Sequence, residues 1–255
     1  MNRLTLASRI RKHVVRLCLP LLGALALAAC TTTSEDPVEQ EIRAQANDPA
    51  EAANRYIFDV DMAVWDITVN PIAEVYNDAI PEPYRNGIRN LLENLQMPST
   101  IINSALQGDW ENTVDASVSF LINTTAGLGG IFDIPGNFDK EPRKEDFGQT
   151  LAVWGFDEGP YIVLPLIGPS TARDTVGLGV GILTDPLTYV LSPTLSYARS
   201  GTSLIQSSGD QQEGLADLRQ TSIDFYAAVR SLYRQNRNAR ISNGESDPFG
   251  FDDDW

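Results

Sequence analysis

The segment YIVLPLI, residues 161–167, is apolar but cannot form a long helix. Pro165 interrupts it, and Pro160, Gly168 and Pro169 close in on both sides. Each proline removes a backbone donor and clashes with the preceding turn. A second oily region, 176–191, is interrupted in the same way at Asp185-Pro186. After residue 30 no stretch offers eighteen uninterrupted apolar residues, so a conventional transmembrane helix is not expected. The two arms predict a kinked apolar helical hairpin. Such a hairpin fits a buried core. It equally fits a surface lying in a bilayer, where neighbouring helices satisfy the backbone at the kinks. Periodicity leaves both open.

The first twenty-nine residues carry Arg3, Arg9, Arg11, Lys12 and Arg16 ahead of LCLPLLGALALAA, the pattern of an export signal that is removed. Its end, Leu27-Ala28-Ala29-Cys30, resembles the lipobox of bacterial lipoproteins, which implies acylation at Cys30. Removal of the leader takes five basic residues and no acidic ones, so the formal net charge moves from −15 to −20. A chain this acidic is not suited to nucleic acid, whose phosphates require clustered Lys and Arg. His13 and Cys18 also lie in the leader. The mature chain therefore has one cysteine and no histidine, which excludes Ser-His-Asp triads, Cys-His pairs, histidine metal sites and internal disulfides. No cofactor is indicated.

From residue 30 to 47 the chain is small, polar and acidic, as expected of a flexible tether behind a lipid anchor. A single helical domain is expected over 48–238, then an acidic disordered tail over 239–255. Asp48-Pro49-Ala50-Glu51 has the spacing of a helix cap with proline at the first position. Pro71 and Pro81-Glu82-Pro83 bracket a short helical piece. In EPYRNGIRNLLENLQ, Tyr84, Ile88, Leu91, Leu92 and Leu95 form one stripe. Ser99 is expected to cap a helix ending at Gly108. Asp109 is expected to cap the next, which carries Val114, Val118, Leu121 and Ile122. A final helix is expected from about Asp210 to Asn236. Strands are few or absent, and the fold class is mainly α.

Three polar motifs have structural and chemical readings. Gly127, Gly129 and Gly130 resemble a phosphate cradle, but no Lys-Ser/Thr follows, so a close-packed turn is the better reading. Glu145-Asp146 fits a helix cap better than an acid-base pair. Arg173-Asp174 fits an ion pair at a helix start, or a contact with a lipid head group.

Several strings, in order, resemble the MlaA (VacJ) family of outer-membrane lipoproteins over about residues 48–236. They are Asp48-Pro49 with Asn54-Arg55, YRNGIRNLLENLQMP, LQGD, FLINTTAGLGGIFD, EDFGQTLAVWG and GPYIVLPLIGPSTARD. The resemblance implies a compact multi-helix ring or wedge in the inner leaflet of the outer membrane, held by Cys30 and facing the periplasm. It implies an amphipathic channel that retrieves phospholipids from the outer leaflet and passes them to a soluble periplasmic carrier beside a trimeric porin. No bond need be broken. At ~0.8 kcal/mol per methylene, two chains of roughly fifteen methylenes cost on the order of 24 kcal/mol in water, so a dry path is the need. Candidate channel or lipid contacts are Asn123, Thr124, Gly127, Gly129, Gly130, Phe132, Gln149, Tyr161, Val163, Leu164, Leu166, Arg173, Asp174 and Ile182. Aspartate at Val163 or Ile182 is then expected to impair membrane embedding more than folding. The alternatives are an envelope scaffold, or a lipid hydrolase using carboxylates or a Ser-Lys pair.

Overall fold

The computed structural model describes residues 46–134, 141–191, 199–203, 205 and 214–243. The leader, Cys30, nearly all of the tether and the tail from residue 244 lie outside the described residues. The fold is mainly helical: α1 (Glu51–Val64), a π-turn (Trp65–Val69), α2 (Asn70–Ala79), α3 (Glu82–Asn94), α4 (Met97–Gln107), α5 (Trp110–Thr125) and α6 (Phe147–Val153) come first. A hairpin of β1 (Tyr161–Leu164) and β2 (Gly168–Thr171) follows. After it come α7 (Ala172–Thr184), α8 (Leu187–Val190), a helical stretch at 214–221, and α9 (Phe225–Ile241). Among the described residues no helix is long and apolar enough to cross a membrane.

Pro71 does not end the first helix. Its ring would meet the carbonyl four residues back, at Ile67, and it has no N–H to donate. The π-turn over Trp65–Val69 takes up this mismatch, and the helix continues to Ala79. Asp48 does not cap α1. Ala50 occupies the cap position without a side-chain bond, and the Asp48 carboxylate is buried instead. It accepts from Asn54 Nδ2, Tyr226 Oη and Arg230 Nη1. The local cap loses to Asn54 one turn into α1 and to two long-range donors on α9.

The segment expected to be a helical hairpin arm is a β-hairpin. Tyr161 pairs with Thr171 and Val163 with Pro169, antiparallel, and Tyr161 and Val163 are each 1% exposed. Two consecutive i, i+2 residues are enough to bury one face, and Pro169 is tolerated because a two-stranded sheet has open edges. Asn54 on α1 covers one of those edges. Its amide donates to the Tyr161 carbonyl at 3.0 Å and accepts from the Val163 N–H at 3.0 Å, as a strand residue would. At the tip, Leu166 has φ 65° and donates its N–H to Asp61 Oδ1 at 2.9 Å. Phe58, Tyr161, Val163, Tyr226 and Val229 form the core, where α1, the hairpin and α9 meet.

The expected last helix is broken at 222–224, where Asp224 caps α9 by accepting from the Ala227 N–H at 3.1 Å. α9 then runs to Ile241, past Asn236 and into the 239–255 stretch expected to be the tail. Its arginines face carboxylates from distant parts of the chain. Arg230 meets Asp48, Arg234 meets Glu158, and Arg237 meets Asp146 and Asp174.

Candidate functional site

The helices α4 and α5 show what kind of surface this chain builds. Asp109 caps α5 as expected, accepting from the Asn112 N–H at 3.0 Å, and Gly108, at φ 81°, ends α4. α4, however, begins at Met97 with Pro98 in its first turn, ahead of Ser99. On α5, Trp110, Val114, Val118 and Leu121 fall on one stripe, and this stripe is exposed. The buried residues are Asn112, Ala116, Ser119 and Asn123. α4 does the same, burying Thr100, Asn103 and Ser104 and exposing Ile102 and Leu106. The amphipathic pattern is present with its sense reversed. Among the described residues only eight apolar side chains are buried against sixteen polar or charged ones, while twenty-seven large apolar side chains are exposed. A water-soluble helical domain would bury its oily stripes.

The interior is satisfied by amides and carboxylates instead. Asn112 Nδ2 donates to Ser104 Oγ at 2.8 Å and to the Arg143 carbonyl at 3.0 Å, and its Oδ1 accepts from the Arg143 N–H. Thr150 Oγ1 donates to Asn103 Oδ1 at 2.9 Å, and Gln107 Nε2 donates to Glu145 Oε2 at 2.8 Å. These bonds tie α4 and α5 to the start of α6, which Asp146 caps through the Gln149 N–H. Burial pushes the Glu145 carboxyl above the usual range. Gln107 opposes that shift and the neighbouring Asp146 charge adds to it. A carboxyl raised on folding costs stability once pH exceeds its unfolded value, and the cost is absent in acid. Glu145→Gln keeps the acceptor for Gln107, so it is expected to stabilise by about 1 kcal/mol at pH 7 and by nothing at pH 3, read from thermal melts.

The predicted site residues fall into three places. Around the glycine turn, Asn123 Nδ2 donates to Asp133 and its Oδ1 accepts from the Ile134 N–H, and Thr124 Oγ1 accepts from Asn94 Nδ2 at 3.1 Å. Asn94 also holds the Gly129 carbonyl at 3.0 Å. Gly129 and Gly130 have φ of 79° and 101°, and a Cβ on Gly127 would stand 2.3 Å from the Phe132 carbonyl. The turn is a close-packed one, and it presents Leu128, Ile131 and Phe132 outward. Gly130→Ala would put a methyl 2.4 Å from Asn94 Cβ at a φ that L-residues avoid. We expect it to cost about 1–3 kcal/mol, measured by denaturant unfolding.

The second place is the hairpin, where two assignments are corrected. Tyr161 and Val163 fill the protein's own interior and face neither lipid nor a channel, because the strand period turns them onto Phe58 and Tyr226. Leu164 is half-buried, while Leu166 and Ile167 at the tip are exposed. Ile182, on α7, is 56% exposed beside Leu183.

The third place gathers Gln149, Arg173 and Asp174 around a residue not singled out in the sequence. Arg237 binds Asp146 bidentately at 2.6 and 2.7 Å and Asp174 at 3.0 Å. Tyr233 Oη donates to Asp174 at 2.7 Å, Arg173 Nε donates to it at 3.2 Å, and Gln149 Nε2 donates to Asp146 at 3.3 Å. Burial alone would raise both aspartates. The hydrogen bonds and charge of Arg237 outweigh it and hold them below the usual carboxylate range. Beneath this cluster α6 and α7 touch backbone to backbone, since a Cβ on Gly177 would lie 2.5 Å from Gly148 Cα. Arg237 is distant in sequence from both aspartates, so no local spacing announces it. The signal that could have found the polar interior is the placement of Asn112 and Asn123 on the face of α5 opposite its oily stripe.

Short helices with amides inward and oily stripes outward define a class of protein that presents an apolar exterior, here with no helix among the described residues long and apolar enough to cross a membrane. Residues 46–240 match the family described as MlaA lipoprotein. The chain belongs to the MlaA lipoprotein family. It is 32% identical over 244 residues, 92% of each chain, to the intermembrane phospholipid transport system lipoprotein MlaA of Shigella flexneri. Identity and coverage are the same for the protein of that name from Escherichia coli (strain K12). An uncharacterised protein of Rickettsia bellii is 32% identical over 203 residues, 76% of each chain. A solved structure from work on the structural basis for maintenance of bacterial outer membrane lipid asymmetry matches with a TM-score of 0.68 at 32% identity. The match covers 76% of this chain and 98% of that one.

Proposed function

We propose that this chain is an outer-membrane lipoprotein that withdraws mislocalised phospholipids from the outer leaflet and passes them to a soluble periplasmic carrier, so maintaining lipid asymmetry. Its relatives named for phospholipid transport, covered over 92% of their length, support the substrate class. The observation that carries the reading is the reversed α5, whose Trp110, Val114, Val118 and Leu121 stripe is exposed while its amides are buried. Such a stripe is stable against acyl chains and unstable against water. Binding and transfer suffice, with no bond broken. The mature sequence has no histidine to serve as a general base.

On this reading acylated Cys30 holds one helical domain in the inner leaflet through the tether, and a trimeric porin stands alongside. Phe132, Leu166 and Ile182 meet lipid. Asn123, Thr124, Gly127, Gly129 and Gly130 shape the turn that presents Phe132, and Gln149, Arg173 and Asp174 hold the scaffold beneath. Deleting the gene should raise surface-exposed phospholipid. Wild type should restore the low level and Cys30→Ala should not. No rise on deletion would overturn the reading, as would purified protein in mild detergent that carries no phospholipid by mass analysis.

A further inference from the structure

Between the π-turn and the stretch 214–221 lies a pocket of about 140 Å³ that none of the three clusters above uses. Met62, Trp65, Leu215, Ala216 and Phe225 wall it. Met62, Leu215 and Phe225 also pack on the core, which fixes the floor. The ionisable residues of its lining are Asp66 and Arg219. Arg219 Nη1 donates to Asp66 Oδ2 at 3.1 Å, and Asn70 Nδ2 donates to Asp66 Oδ1 at 3.2 Å. The guanidinium carbon stands 5.1 Å from the centre of the Phe225 ring. The charged side chains are 45% and 46% exposed, so one cation and one anion sit side by side at the mouth with water at hand.

Size and charge each narrow the occupant. A cavity near 150 Å³ with apolar walls takes a group about as large as benzene, which is the width of one acyl chain and not two. The ion pair is end-on and half-exposed, so it contributes little and can be exchanged for equivalent partners at little cost. A ligand with its own anion and cation a few atoms apart would exchange it pair for pair. An anionic head group without the cation would meet Arg219 favourably but Asp66 unfavourably.

We propose that this pocket is a head-group subsite that selects phospholipids bearing an ammonium group. Arg219 takes the phosphate, Asp66 takes the ammonium, and the first carbons of one chain enter over Met62, Trp65 and Phe225. This rests on phospholipid being the cargo. The test uses full-length protein in a non-ionic detergent, titrated calorimetrically with dihexanoyl phosphatidylethanolamine and with dihexanoyl phosphatidylglycerol. Wild type should bind the ethanolamine lipid about three- to fivefold more tightly, the scale of one half-exposed ion pair. Asp66→Asn should abolish the preference, weakening the ethanolamine lipid and, with the repulsion gone, leaving the glycerol lipid bound at least as tightly as before. Arg219→Gln should weaken both, and so should Ala216→Phe, which fills the slot, each with an unchanged thermal midpoint. Equal affinities in wild type would overturn the proposal, as would a preference that survives Asp66→Asn. If phospholipid still copurifies with wild type in that event, the subsite alone fails. If none does, the transport reading fails with it.

Discussion

Val163→Asp is expected to yield no folded protein, and Val118→Asp a folded one that no longer floats with lipid vesicles. Both are apolar residues in oily segments, and the sequence treats them alike. Val163 is 1% exposed in the aromatic core, where a new carboxylate finds no partner. Burying it and losing the packing costs more than about 4 kcal/mol, a large share of the ~5–15 kcal/mol that holds a domain together. Val118 is 48% exposed on the α5 stripe, so in water or detergent the change costs under about 0.5 kcal/mol. In lipid an aspartate costs about 2.5–3.5 kcal/mol, roughly a hundredfold in partitioning. Circular dichroism and vesicle flotation of the two variants, each carrying Cys30→Ala so that no acyl anchor holds them to the vesicle, check the pair. A Val118→Asp protein that floats like wild type would refute the lipid-facing assignment of α5.

Arg237→Met is expected to destabilise by about 3–5 kcal/mol at neutral pH, because it leaves Asp146 and Asp174 charged and without their main partner. Arg237 bonds both helix starts. In wild type these carboxyls sit below their ordinary 3.8 in the folded state, so their stabilisation is complete above that value and is lost as pH falls through their folded values. In the variant, only the bonds from Tyr233, Arg173 and Gln149 still oppose burial, so both carboxyls rise from their wild-type values. The folded variant then takes up protons more readily than folded wild type, so its deficit relative to wild type shrinks in acid. Denaturant unfolding at pH 7 and pH 3 measures both. A deficit independent of pH would show that lost packing of the arginine stem, and not the charge cluster, is responsible.

Legibility in the sequence followed the range of each interaction. The caps at Asp109 and Asp146 were legible because donor and acceptor are three residues apart. The Asp48 cap failed because Tyr226 and Arg230, far along the chain, compete for the same carboxylate. Pro71 was legible as an obstacle but not as a π-turn, since the extra residue is absorbed within a helix that tertiary contacts keep intact. The amphipathic stripe of α5 was legible in position and not in sense, because a helical period reports that two faces differ and not which one meets the solvent. The hairpin posed the same ambiguity. YIVLPLI fits a bent helix or a short strand pair, and Asn54 decided for the strands by bonding the backbone of β1.

Composition and covalent pattern thus determined the broad character of this protein. A basic stretch and an apolar run of export-signal pattern precede Cys30, no histidine follows His13, no cysteine follows Cys30, and prolines and charges break the later oily runs. These depend on which residues are present and how closely they follow one another. Only the tertiary structure decided that amides go inside and valines outside, that Tyr161 and Val163 are core, and that Arg237 binds two helix starts at once. The physical reason is that burial belongs to a residue's surroundings in space. A valine stripe is equally at home against a core or against lipid, and only the packed chain shows which of the two it faces.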